Sequence, residues 1–125
     1  MITGLAFLEI VVKNFDQALK WYTENLGLIV FGEIESCEDG HWCRFKTNDG
    51  CNSVALWQPN WVPNPQKEHP YFMPVLAVTN LYAMVNDLKR KGVVFTEGIR
   101  ERPSYSITTL VDLEGNQLQL QETKK

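Results

Sequence analysis

Apolar residues along this chain fall into short strand-like runs interrupted by a helical stripe, and the whole order occurs twice. Leu5 to Val12 is rich in aliphatic and β-branched residues and predicts a strand. Asn14 then offers an oxygen suited to a helix N-cap, with Gln17 three residues later as in a capping box. Phe15, Ala18, Leu19, Tyr22 and Leu26 recur at helical spacing, and Gly27 supplies the stop. Leu28 to Ile34, His41 to Lys46 and Ser53 to Trp57 predict three further strands, parted by turns at Asp39-Gly40 and Asn48-Asp49-Gly50. The module reads β-α-β-β-β.

The stretch from Gln58 to Pro70 contains Pro59, Pro63, Pro65 and Pro70, which excludes a central strand or a helix and predicts a linker. After it the order returns. Phe72 to Val78 predicts a strand; Asn80 caps a helix with Leu81, Met84, Val85 and Leu88 on one face, and Gly92 ends it. Strands are predicted near Val93 to Thr96, Tyr105 to Val111 and Gln117 to Glu122. Asn14 and Asn80 hold the same place in the two copies, as do Val54-Ala55-Leu56 and Leu118-Gln119-Leu120. The expectation is one α+β domain over residues 1–125: module one at about 1–58, a linker at about 59–70, and module two at about 71–125.

Composition narrows the function classes. A length of 125 residues suffices for one real core, and 44% hydrophobic with 22% charged residues is ordinary for a soluble domain. A formal charge of −3 argues against nucleic acid; the one basic cluster, Lys89-Arg90-Lys91, falls at a predicted helix end, where cations suit the macrodipole. No apolar run approaches the ~20 residues a bilayer span needs, and the N-terminus lacks a signal-peptide pattern. Cys37, Cys43 and Cys51 are odd in number and lack metal-knuckle spacing, so reduced thiols in the cytoplasm are expected.

A tandem βαβββ repeat with Asn25-Leu26-Gly27-Leu28 closing the first helix and a terminal Asp112-Leu113-Glu114-Gly115-Asn116 turn resembles the vicinal oxygen chelate superfamily. That group includes glyoxalase I, bleomycin-resistance proteins and extradiol dioxygenases. The resemblance implies a curved mixed sheet around a cavity shared by the modules, helices on the convex side, and a homodimer. It also implies where a divalent metal would be held: five positions before the first-strand valine of each module, and on each last strand. Here those positions are Phe7, Ala55, Met73 and Gln119. One neutral amide among groups without a useful lone pair does not retain such a metal, so no metal and no cofactor are expected.

Strand alternation then distributes the remaining side chains. Leu8, Ile10, Val12, Val54, Leu56, Phe45, Leu110, Leu118 and Leu120 are expected under the helices. The inward, ligand-binding set is Phe7, Glu9, Trp42, Arg44, Trp57, Met73, Tyr105, Gln119 and Gln121. Aromatic walls with a few polar groups suit a flat organic ligand. Phe7 and Met73 serve equally well as filler for the vacated metal position, and the tryptophans as a dimer contact. Glu9 is the candidate catalytic residue: it pairs with Arg44, meets a cationic ligand, or acts as a general base. His41 beside a turn and His69 in the linker fall off the family's ligand positions and are expected at the surface. The function expected is metal-free binding of a small aromatic, possibly cationic, molecule between Trp57 and Trp42. The alternatives are a metal-independent lyase or isomerase using Glu9, with Arg44 or Tyr105 stabilising charge, and an accessory interaction module with a filled cavity.

Overall fold

A computed structural model describes residues 1–3, 5–47, 50, 54–60 and 72–124. The chain divides into two compact units, Met1–Pro65 and Gln66–Lys125. Cys51, His69, Pro63, Pro65, Pro70 and the Asn48-Asp49 part of the predicted turn lie outside the described residues.

The first unit contains β1 (Leu8–Val11), α1 (Phe15–Leu26), β2 (Ile29–Cys37), β3 (Gly40–Lys46) and β4 (Val54–Pro59). Its sheet has the order β1-β4-β3-β2, with β1 parallel to β4 and the other pairs antiparallel. Parallel pairing puts a crossover between β1 and its partner, and α1 with the β2-β3 hairpin supplies it. The side of the strands carrying Ile10, Cys43, Phe45 and Leu56 is buried with Phe15, Ala18 and Tyr22 of α1, and Tyr22 lies against the Phe45 ring at 6.0 Å.

The second unit contains β5 (Val75–Ala77), α2 (Leu81–Arg90), β6 (Val94–Phe95), β7 (Arg100–Glu101), β8 (Tyr105–Val111) and β9 (Gln117–Thr123). The order is β5-β9-β8-β6, and β7 also pairs with β8. Leu81, Val85 and Leu88 of α2 are buried, as are Leu110, Leu118 and Leu120 of the sheet. The Asp112–Asn116 turn is held by its own side chains: Asp112 Oδ1 accepts from the Glu114 and Asn116 amides, both at 2.8 Å, and its Oδ2 accepts from Asn116 Nδ2 at 2.9 Å.

Both helix starts are as expected and then gain a partner that sequence did not suggest. Asn14 Oδ1 accepts from the Gln17 amide at 3.1 Å, and Asn80 Oδ1 from the Ala83 amide at 3.3 Å. In addition the last strand of each unit reaches under its helix. The Phe15 amide donates to Gln58 Oε1 at 2.5 Å, while the Asn80 and Leu81 amides donate to the two oxygens of Glu122 at 3.1 and 2.9 Å. A carboxylate at that end also complements the helix dipole.

Several boundaries differ from expectation. β1 and β5 begin at Leu8 and Val75, later than Leu5 and Phe72, because only those shorter stretches find a ladder partner on β4 and β9. β2 runs on to Cys37 through Gly32 at φ 79°, with a register shift between Phe31 and Glu35. Gln58 and Pro59 belong to β4, a central strand, and not to the linker: Pro59 closes the ladder as its last residue, opposite Gly40. A Cβ at Gly40 would stand 2.0 Å from the Gln58 carbonyl oxygen, so the close approach demands glycine there. The two-residue β7 was not anticipated; Arg100 and Glu101 pair with Ile107 and Ser106.

Candidate functional site

In the first unit the register sets two rows across the face turned away from α1. One row is Glu9, Ala55, Arg44 and Phe31; the next is Val11, Trp57, Trp42 and Glu35. Between them along each strand stand Ile10, Leu56 and Cys43, buried on the α1 side, so alternation fixes which way the rows face; Ala55 in the first row is buried as well. Burial also pushes the Cys43 thiol up to about 11, which removes it as a nucleophile.

Phe7, Glu9, Trp42 and Arg44 form one contact group on this face. The Trp42 indole Nε1 donates to Glu9 Oε1 at 3.1 Å. The Phe7 and Trp42 rings lie 5.6 Å apart at 58°. The Arg44 guanidinium stands over the Phe7 ring at 4.5 Å and 5.8 Å from the Trp42 ring. Arg44 Nε is buried and has no hydrogen-bond partner among the described residues.

Two expectations change here. Glu9 and Arg44 are not an ion pair: Glu9 is engaged by the indole and Arg44 by aromatic faces, since Ala55 separates them by a full strand spacing on either side. Trp42 and Trp57 are direct cross-strand partners, side by side on one sheet and not facing each other across a gap. They stand in one row on the same face of the sheet.

In the second unit the corresponding rows are Val75, Gln119 and Thr109, then Ala77, Gln121, Ile107 and Arg100. A chain of polar contacts crosses them. Gln119 Nε2 donates to Thr109 Oγ1 at 3.2 Å, Thr109 Oγ1 donates to Glu97 Oε2 at 2.6 Å, and Glu97 Oε1 takes Arg100 Nε at 2.8 Å. Tyr105 lies opposite Thr123 and is half-buried. Met73, also half-buried, stands two residues before β5, next to Pro74, whose carbonyl accepts from the Gln119 amide at 2.8 Å.

Phe31, Glu97 and Arg100 were missed by sequence reasoning. Phe31 is disguised by the irregularity at Gly32, which breaks the alternation of β2. Glu97 and Arg100 sit in a short segment without a motif, and only the β7–β8 pairing reveals their place. His41 is not at the surface turn but on the helix side of β3, half-buried, with Nδ1 2.8 Å from Ser36 Oγ and its ring 5.8 Å from Phe15.

The donor set at the four family metal positions does not fit a divalent ion. Phe7 and Ala55 carry no donor, Met73 has only a thioether, and Gln119, whose Nε2 donates to Thr109, offers a single neutral amide oxygen. Among the described residues no three His, Cys, Asp or Glu side chains gather into a cluster that could hold one.

The chain belongs to the glyoxalase/bleomycin resistance protein/dioxygenase superfamily: the family model matches residues 4–120. The Frankia sp. EAN1pec glyoxylase/bleomycin resistance protein/dioxygenase domain superposes with a TM-score of 0.81 at 18% identity, covering 100% of this chain and 95% of that one. TnmS3, an antibiotic-binding protein from Streptomyces sp. CB03234, gives 0.76 at 18% identity, covering 98% of both chains. A superfamily member from Sphaerobacter thermophilus gives 0.80 at 24% identity, covering 97% of this chain and 98% of that one. No curated protein matches the sequence. No helix among the described residues is long and apolar enough to cross a membrane.

Proposed function

We propose that this protein is a metal-free binder of small aromatic molecules, of the kind that the bleomycin-resistance branch of the superfamily represents. The observation that carries the proposal is the cluster of Phe7, Trp42 and Arg44 on the face of the first sheet turned away from α1, with Trp57 beside Trp42 on the same row. Aromatic and guanidinium faces offer dispersion and quadrupole interactions to a flat ring without demanding a particular hydrogen-bond pattern. Glu9, whose second oxygen is uncommitted among the described residues, adds an acceptor for a cationic or donor group on the ligand. In the second unit, Tyr105, Gln121 and the Gln119–Thr109 pair are the polar groups on the corresponding strand positions. TnmS3, which has this fold, is an antibiotic-binding protein, in keeping with such a role.

We place the protein in the cytoplasm as a homodimer. The free thiols of Cys37 and Cys43 and the exposed Ile29 and Ile34 on edge strand β2 support this. The proposal is tested by a thermal-shift screen of the full chain against divalent metals and a panel of small aromatics. Aromatic compounds should raise the melting temperature and quench tryptophan fluorescence, and metals should do neither. A molar equivalent of metal retained through dialysis, with no aromatic binding, defeats the proposal.

A further inference from the structure

We infer that the ligand carries an acidic group, and that Arg44 is the residue that receives it. This rests on the aromatic-binding function proposed above and names the chemistry of that ligand more narrowly. The ladder neighbours of Arg44 are Ala55 on β4 and Phe31 on β2, neither of which has an acceptor in its side chain. The guanidinium lies against Phe7 and Trp42, and its Nε is buried without an acceptor among the described residues. Burial of such a donor is unfavourable unless something answers it. The aromatic faces offset part of that cost through the cation, but they accept no hydrogen bond in the plane of the fork. The one carboxylate in the contact group, Glu9, is held by the Trp42 indole.

What the guanidinium lacks is a planar pair of oxygens, which a carboxylate presents in matching geometry. Trp42 and Arg44 are two residues apart on β3, so their side chains leave the same face roughly 7 Å apart. A two-ring aromatic acid spans that interval: its rings rest on the tryptophans and its carboxylate meets the arginine. Glu9 beside Trp42 then disfavours acids placed the other way round, which fixes orientation as well as class.

The test uses matched pairs that differ only in charge: 2-naphthoate against 2-naphthamide, and biphenyl-4-carboxylate against its carboxamide. Each is titrated calorimetrically into the full-length wild type, R44Q and R44K, with folding checked by circular dichroism. The wild type should prefer each acid over its amide by about tenfold or more, the scale of a charge-assisted hydrogen bond. R44Q should abolish the preference, bringing each acid and its amide to equal affinity, and R44K should keep a small part of it, as a point charge without a fork. Where R44Q does not fold, the loss of most of the preference in R44K supports the same conclusion. Equal binding of acid and amide by the wild type, or a preference that survives in R44Q, overturns the acid site and leaves the aromatic site standing. Failure of all four compounds to bind removes both.

Discussion

Replacing Glu122 by alanine isolates the contact that ties the last strand of the second unit to its helix. The wild-type carboxylate accepts from two amides, Asn80 at 3.1 Å and Leu81 at 2.9 Å, at the positive end of α2. A hydrogen bond to a charged group contributes about 1.5–3 kcal/mol when buried and less where water competes, as it does for half-buried Glu122. The dipole adds about 0.3–1 kcal/mol. Allowing for solvent screening, Glu122→Ala should cost about 2 kcal/mol. Glu122→Gln, which keeps an oxygen for one amide but loses the charge, should cost about 1 kcal/mol. In module one the same place is held by neutral Gln58 with a single amide, so Gln58→Ala should also cost about 1 kcal/mol. Urea unfolding followed by far-UV circular dichroism measures all three; the midpoint should fall while the slope stays constant. A Glu122→Ala protein within about 0.5 kcal/mol of wild type, or one equal to Glu122→Gln, refutes the charged-cap argument.

The remaining expectations concern other residues. Glu101 accepts from Lys124, Tyr82 and Ser106, and these bonds, Lys124 foremost, pull its carboxyl down from 4.5 to about 2. Its folded value is depressed, so the stability it adds is present above about 4.5 and is lost as pH falls from there toward 2; melting temperatures across that window should slope less in Glu101→Gln. Gly40→Ala should destabilise by more than about 1 kcal/mol, because the new methyl meets the Gln58 carbonyl at a positive φ; an unchanged unfolding midpoint would count against that close approach. Iodoacetamide should label exposed Cys37 in the native protein and spare Cys43 until urea is added, as peptide mass mapping would show.

Much of the scaffold was legible because each local signal has a direct physical cause. Asn14 and Asn80 cap because their side-chain oxygens reach the amides three residues on, and Gly27 ends α1 because φ 69° suits glycine. The equivalence of Ala55 and Gln119 drawn from the repeat is matched in the register: Ala55 lies opposite Glu9, and Gln119 opposite Val75. The cap from Gln58 was hidden because Pro59, next to it, signals a break, whereas a proline at the end of a strand loses only an amide the ladder no longer needs. The partner of Glu9 was hidden for a different reason. Arg44 and Trp42 both come from β3 on the same face, and the choice between them depends on side-chain rotamers that strand periodicity does not encode.

The two modules also act as an internal control on which residues the fold requires. At three positions buried against a helix both copies are apolar: Phe45 and Leu110, Leu56 and Leu120, Phe15 and Leu81. On the opposite face the copies diverge at three rungs of the first row: Glu9 against Val75, Ala55 against Gln119, Arg44 against Thr109. The second unit builds an ordered sheet with neutral residues at all three, so the β-sheet itself does not need the charges at Glu9 and Arg44. An arginine held against aromatic rings with a buried, unanswered Nε is costly where a threonine serves the same scaffold. Such a cost, confined to one copy of a repeated architecture and set on the face its helix leaves open, is the kind of local inconsistency that marks a functional position and not a structural one.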